Sequence, residues 1–429
     1  MGDKKLARRT VLKLKFENVS VPDDINLHLM SANYTDNEDG STDDFQIVYE
    51  DRERNLLGDW LDVKPVIVNT TKQVAKEIQE EKTINYVVKR GDTLRAIALQ
   101  YLGSAIKYPQ IAQENNIPNP DLIYPGQVFR ITTNSVAKST PAENIKQEAK
   151  SKLVTAALIQ KNWDDTGKDV TLNIGTFEID GIDVSGPPTK ITIKSTSIPY
   201  TSKMRIEKKS RAWENITLKA IGEQIAHDSG LSLMYEASDN PTFKRKEQVQ
   251  ISDIKFLQEL CHAAGMALKV TTLKIVIYDA AEYDTKPITK TFKFGDKNII
   301  SYKLGTSLTD TAYTSCHVSY TDPDSKETIE YTYTPDSSTG TGQILEINEK
   351  VRNTKEAKKL AKKRLREKNT QEYTASLKVL GDVSLVAGMT VKLKGFQKFD
   401  KKYKITQAKH NLTGGYTVDL SLKQVLEGY

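Results

Sequence analysis

Residues 84–131 read INYVVKRGDTLRAIALQYLGSAIKYPQIAQENNIPNPDLIYPGQVFRI, a stretch with its own start and stop. Tyr86, Val87 and Val88 form a short β-prone run. Gly91-Asp92 then turns the chain, and Asp92 is placed to cap a helix opening at Thr93. Leu94, Ile97, Ala98 and Tyr101 recur at helical spacing, and Gly103 is a stop. Tyr108, Ile111 and Ala112 mark a second helix ending at Asn115-Asn116. After the Pro125-Gly126 turn, Val128 and Ile131 belong to a closing strand. The order is strand, helix, helix, strand, and the rest of the chain reads as a body that this module interrupts.

With Gly91-Asp92-Thr93-Leu94 at its front and Tyr124-Pro125-Gly126-Gln127 at its back, the stretch resembles the LysM module. The resemblance implies binding of N-acetylated glycans, peptidoglycan or chitin, in a shallow groove between two loops. Here those loops hold Gly91, Asp92, Thr93 and Leu94 on one side, and Asn119, Pro120, Asp121, Leu122, Ile123 and Tyr124 on the other. Backbone amides and carbonyls suit acetamide groups, and Leu122 or Ile123 would suit a sugar face. Leu94 and Ile123 as core residues, with Asp92 as a cap, would give the same sequence pattern.

The chain has 429 residues, 38% hydrophobic and 28% charged, so three or four folded domains are expected. No run reaches membrane-spanning length, and MGDKKLARRTVLKLKF alternates like a strand behind a basic tip, so neither a signal peptide nor a membrane anchor is expected. Leu6 stands where a myristoylation site needs Ser or Thr. Two cysteines build no disulfide scaffold, which fits folding in a reducing bacterial cytoplasm. A net charge of +6, interspersed with acids, gives no footprint for sequence-specific nucleic-acid binding.

Before the module, Val11 to Phe16, Ile25 to Leu29 and Phe45 to Tyr49 alternate as strands, with a turn at Pro22-Asp23-Asp24. NYTDNEDGSTDD, residues 33–44, lacks the spacing of an EF-hand and suits a solvated acidic loop. Residues 65–83 are expected to be a polar, helical lead-in and 132–150 a second linker. β-Structure resumes at Leu153 and continues past Gly186-Pro187-Pro188. The expected organisation is a split first domain (1–64 plus 151–205), the module at 84–131 between linkers 65–83 and 132–150, a small α+β domain (206–290) and a last domain (291–429).

In the small domain, Thr217 caps a helix carrying Leu218, Ile221 and Ile225, and Ser252 or Asp253 opens another carrying Phe256, Leu257 and Leu260. A hairpin turns around Thr271-Thr272. In the last domain, strands at 313–320 and 330–333 precede a helix over 354–368 with Asn353 and Glu356 as a capping box. Its basic residues lie mostly on the face opposite Ala357, Ala361 and Leu365, as a solvated face or, less simply, a phosphate or acidic-partner surface.

With the module set aside, SANYTDNEDGSTDDFQIVYEDRERNLLGDW, GTFEIDGIDVSGPP, KKSRAWENITLKAIGEQIAHDSGLSLMYE, ISDIKFLQELCHAAGMALKV and GFQKFDKKYKITQAKHNLTGGYTVDLSLKQVLEGY together resemble phage late-control D proteins, the baseplate hub family of contractile tails. The resemblance implies an α+β multidomain fold with two tube-like β-barrel domains, a small α+β domain and the βααβ insert. It also implies a homotrimer joining a hexameric tail tube to a trimeric spike in a phage tail, tailocin or related contractile injection system. Tail tube protein, spike protein, other baseplate proteins and peptidoglycan are the implied partners, and the virion or particle baseplate the implied location.

Catalysis finds no support. Cys261-His262 and Cys316-His317 invite a thiol or zinc chemistry, but adjacent residues diverge on a helix and point to opposite faces of a strand. His28, His227 and His410 have no motif around them, 56 acidic residues single out no carboxylate pair, and there is no G-x-S-x-G elbow or phosphate loop. A protein without enzymatic activity, cofactor or metal is expected, the alternative being a LysM-anchored peptidoglycan hydrolase.

Overall fold

The computed structural model describes residues 8–426 apart from 20, 23–24, 40–41, 75–76, 139–141, 164–166, 198–202, 272, 324–325 and 337–341. The Pro22-Asp23-Asp24 turn thus lies largely outside the described residues. The chain falls into two compact units, Met1–Val66 with Lys150–Tyr429, and Ile67–Ala149.

The larger unit is built on one twelve-stranded sheet. Its strands run in the order Arg9–Glu17, Leu153–Lys161, Val170–Ser185, Lys190–Thr196, Asp44–Glu50, Leu29–Asn37, Lys402–Leu412, Tyr416–Gln424, Tyr373–Leu380 and Ile299–Thr306. Thr390–Lys394 pairs with Lys402–Leu412 and carries Ile288–Lys293 beside it in parallel. The pairing of Arg9–Glu17 with Leu153–Lys161, Leu14 opposite Ala156, joins segments that the insert separates in sequence. Alternation dictates the faces: Phe45, Ile47 and Tyr49 are fully buried, as are Ile191 and Ile193 on the neighbouring strand, with Ile47 opposite Ile193.

Two β-barrels were expected; among the described residues the strands of both halves join one twelve-stranded sheet, with no closed barrel detected. Leu29–Asn37 pairs antiparallel with Lys402–Leu412, Tyr34 opposite His410, so both halves share one core that includes Phe45, Phe177, Leu377, Tyr403 and Val418. Among the described residues the terminal strands Arg9–Glu17 and Ile299–Thr306 do not pair with each other. Alternation reports which face of a strand is buried, not which strand lies beside it. The buried Gln160 also ties the halves: its Nε2 donates to the Gly381 carbonyl at 2.9 Å and its Oε1 accepts from the Val383 amide at 3.1 Å.

Local expectations are corrected at four places. Ile25–His28 is a turn of 3-10 helix leading into Leu29–Asn37, not a strand. The 33–44 stretch is not a solvated loop: Asp36 and Asp43 are buried and both pair with Lys269, Asp43 at 3.0 Å. Where a helical lead-in was expected, Val66–Val74 and Glu77–Val87 are strands, and the second polar stretch holds Val128–Lys138 and Ala142–Lys150. Val66–Val74 pairs with Ala142–Lys150 and Glu77–Val87 with Val128–Lys138, so paired ribbons stand where linkers were read. Finally, Ser315–Thr321, Thr328–Tyr333 and Ile344–Ile347 leave the main sheet and form a three-stranded one of their own.

That small sheet packs on helix Thr354–Asn369 through Val318, Leu345, Ala357, Ala361 and Leu365. Asn353 Oδ1 accepts the Glu356 amide at 2.9 Å, and the Glu356 carboxylate accepts the Arg352 amide at 2.9 Å, a capping box displaced by one residue. In the 206–290 region, Thr217 caps Leu218–Asp228 by accepting from the Ala220 amide at 3.2 Å. This helix and Asp253–Ala264 bury Ile221, Ile225, Phe256 and Leu257 against the three-stranded sheet of Ser232–Glu236, Lys274–Asp279 and Met266–Val270. The last two strands pair antiparallel as the expected hairpin, whose Thr272 lies outside the described residues.

In the smaller unit, Glu77–Val87 and Val128–Lys138 pair antiparallel with Ile84 opposite Ile131. Helices Leu94–Leu102 and Tyr108–Glu114 close over them, burying Val88, Leu94, Ile97, Ala98, Ile111, Phe129 and Ile131. No helix of the described residues is long and apolar enough to cross a membrane.

Candidate functional site

The two candidate loops leave the module's sheet at one point. The Val88 amide donates to the Gln127 carbonyl and its carbonyl accepts from the Gly126 amide, both at 2.8 Å. Residues 89–93 therefore depart beside the place where Pro125-Gly126 arrives. Gly91 and Gly126 have φ of +95° and +93°, a backbone region that side chains disfavour, which is why glycine occupies both turns.

Asp92 does not cap the helix. Its Oδ2 accepts the Lys89 amide at 2.7 Å and the Tyr86 hydroxyl at 2.8 Å, closing the turn on itself and on the preceding strand. These bonds, the amide first, hold the carboxyl below its ordinary value, and the same contact raises the Tyr86 hydroxyl. Thr93 is the cap, its hydroxyl accepting the Ala96 amide at 3.2 Å. The Tyr86 ring lies 5.2 Å from that of Tyr101, which fixes the hydroxyl over the turn.

The second loop is held by its own side chains. Asn119 accepts the Leu122 amide through its carbonyl and the Asp121 amide through Oδ1, both at 3.1 Å. Gln127 Oε1 accepts the Tyr124 amide at 2.8 Å. Pro120 is half-buried and Asp121 exposed. Leu122 and Tyr124 are 55% and 56% exposed, whereas Ile123 packs against the module's core. Leu94, at 2% exposure, belongs to that core. Within the two loops, the large apolar side chains open to solvent are thus Leu122 and Tyr124. Sequence reasoning missed Tyr86 and Gln127 as the residues that order the two loops. Nothing local marks Tyr86, since its bond to Asp92 spans a strand end and a turn.

In both cysteine-histidine dipeptides the thiol turns inward. Both thiols are buried and burial pushes each up to about 12. His262 pairs with Glu367 at 3.1 Å and His317 Nδ1 lies 2.9 Å from the Thr332 hydroxyl. Among the described residues no group of three or more His, Cys, Asp or Glu is arranged to hold a metal ion.

The chain matches the LysM domain family over residues 86–132 and the YQBQ-like family over residues 203–423. An uncharacterized protein of Deinococcus radiodurans is 48% identical over 64 residues, 14% of this chain and 25% of its own length. The potassium binding protein Kbp of Escherichia coli O6:H1 is 52% identical over 48 residues, 11% of this chain and 32% of Kbp. The chain therefore spans no more than about a third of these relatives. In fold, it is similar along nearly its whole length to two tail proteins. The 43 kDa tail protein of prophage MuSo2 from Shewanella oneidensis has a TM-score of 0.57 at 13% identity, covering 96% of this chain and 98% of the other. The tail protein from Neisseria meningitidis MC58 has a TM-score of 0.54 at 10% identity, covering 97% and 96%. A match reaching from residue 203 to residue 423, more than half of the chain, makes this protein a member of the YQBQ-like family, with a LysM domain set into a body of tail-protein fold.

Proposed function

We propose that this protein is a structural baseplate hub of a contractile phage tail, tailocin or related injection system. It joins the hexameric tail tube to the trimeric spike as a homotrimer, and its LysM module engages peptidoglycan. The observation that carries this reading is the combination of a tail-protein fold along nearly the whole chain with a LysM domain inside it. Buried, high-pKa thiols, with His262 on Glu367 and His317 on Thr332 and Glu330, favour a role without catalysis.

In the module, backbone groups of 91–94 and 119–124 take the acetamides, and Leu122 with Tyr124 lies under the sugar ring. One shallow groove binds weakly; three on a trimer gain avidity when they reach the wall together. Retention of the purified chain on peptidoglycan sacculi, with its mass in solution measured alongside, tests both halves. Retention lost in Leu122→Ala/Tyr124→Ala and a trimeric mass alone or with tube and spike partners are expected. No retention of folded wild type would leave the module an assembly contact. Release of muropeptides, abolished by one point mutation, would turn the reading to a LysM-anchored hydrolase.

A further inference from the structure

Strand Ile299–Thr306 closes one end of the twelve-stranded sheet, with Tyr373–Leu380 as its one ladder partner among the described residues. Its other edge is open: Ile300, Ser301, Tyr302 and Lys303 are all exposed, the isoleucine 49% and the tyrosine 50%. Beside it three aromatic rings meet edge to face. Phe294 lies 6.2 Å from Tyr302 and 5.5 Å from Phe396, and Tyr302 lies 5.3 Å from Phe396. Phe396 is buried, but Phe294 is 61% exposed. Two open aromatics braced on a buried third have the character of an interaction anchor.

The same rim is strongly basic. Residues 288–306 and 390–402 hold nine lysines against two aspartates, a larger excess than the +6 of the whole chain. Both aspartates are turned to backbone amides, Asp296 to that of Asn298 and Asp400 to that of Gly395, each at 2.9 Å. Lys293, Lys297, Lys303 and Lys394 are exposed and form no ion pair among the described residues. Lysine on an edge strand keeps copies of a protein from pairing edge to edge, because like charges would face each other. That role accounts for Lys303 but not for the open aromatics beside it.

We infer that this edge receives an extended acidic segment of another protein, added as a further strand beside Ile299–Thr306. The register supplies the match: Tyr302 lies opposite the buried Leu377, and Lys303 opposite the exposed Ser376. Aromatic and basic side chains thus stand on opposite faces of the strand, so the segment alternates apolar and acidic residues. Its backbone extends the ladder, its apolar residues cover Tyr302 and Phe294, and its carboxylates meet Lys303 and the neighbouring lysines. A nucleic-acid strand would satisfy the lysines and the rings but not the open row of backbone groups.

Titration of the full chain with a labelled, end-blocked peptide alternating valine and glutamate, matched to the 8 residues of the strand and followed by fluorescence anisotropy, tests this. Control probes carry lysine for glutamate, carry a central proline, or are oligothymidylate. Saturable binding of the acidic peptide is expected, about tenfold weaker for the lysine and proline peptides and in Lys297→Glu/Lys303→Glu. Phe294→Ser/Tyr302→Ser weakens it to a similar degree. The charge variant alters only exposed side chains, and a thermal melt beside the titration verifies its fold. Absent binding of the acidic peptide, equal binding of the lysine or proline peptide, or unchanged affinity in the folded charge variant would each overturn the assignment. Tighter binding of oligothymidylate would overturn it in favour of a nucleic-acid surface, and self-association abolished by Tyr302→Ser in favour of a contact between copies.

Discussion

The Asp92 carboxylate accepts the Tyr86 hydroxyl at 2.8 Å with the same oxygen that accepts the Lys89 amide at 2.7 Å. One acceptor thus sets the first loop of the LysM module against the strand that precedes it. Tyr86→Phe and Asp92→Ala are expected to leave the module folded and to weaken retention on peptidoglycan several-fold, Asp92→Ala the more. Because the Asp92 carboxyl is held below its usual 3.8, its contribution persists down to that region and is lost only as pH falls through the lower folded value. Retention should therefore survive acidification to about pH 5 as far as this group is concerned. Loss near pH 6 that Asp92→Ala abolishes would contradict it.

Leu94 and Leu122 sit in the two candidate loops but have opposite environments, 2% and 55% exposed. Leu94→Ala should cost the module about 3 kcal/mol, the range for a buried leucine that leaves a cavity. Leu122→Ala should change stability by less than about 0.5 kcal/mol while lowering retention on sacculi. Thermal melts beside the binding assay separate the two effects, and a melt shifted equally by both would refute the distinction.

Gln160 binds the Gly381 carbonyl and the Val383 amide with its two amide atoms, at 2.9 and 3.1 Å in the buried core. Replacing it by leucine strands a donor and an acceptor, so Gln160→Leu should destabilise the larger unit by about 3 kcal/mol in urea unfolding. A change under about 0.5 kcal/mol would show that the contact does not hold the halves together.

His410 is fully buried, hydrogen-bonded through Nδ1 to the Tyr416 hydroxyl at 2.7 Å and stacked between Tyr34 and Tyr416. Burial holds it down to about 4 against an ordinary 6.5. As pH falls through 6.5 the unfolded chain takes up a proton that the folded chain refuses, so stability drops until about 4, by about 3 kcal/mol in all. Asp43, pushed up to about 6 by burial, works in the opposite sense over an overlapping range. The test is therefore a difference: stability of wild type minus that of His410→Gln, by denaturant unfolding from pH 7 to 4, should fall with acidification. A flat difference would refute a neutral buried imidazole.

Short-range physics made several elements readable. Thr217, and Asn353 with Glu356, cap their helices because a cap needs only a side-chain oxygen a few residues from an amide. The LysM helices followed from Leu94, Ile97 and Ile111 at helical spacing, which the core of the module buries. Asp92 escaped that logic: aspartate and threonine are both good caps, and a tyrosine six residues upstream decided between them.

The acidic 33–44 stretch shows how far composition carries. Polar residues there suggested solvent, yet Asp36 and Asp43 turn inward to Lys269, more than two hundred residues on in the chain. The polar flanks of the module likewise suggested linkers, because a two-stranded ribbon can form through backbone hydrogen bonds without the apolar alternation that announces a strand.

By itself, then, the amino-acid order determined where helices begin, which strand faces are apolar, and the LysM identity of residues 86–132, all properties set within a few neighbouring residues. Tertiary structure alone decided that Leu29–Asn37 lies beside Lys402–Leu412 and that strands from both halves of the larger unit join one twelve-stranded sheet. Those outcomes depend on hydrogen bonds and burial between segments hundreds of residues apart, where one alternating strand offers the same edge as any other.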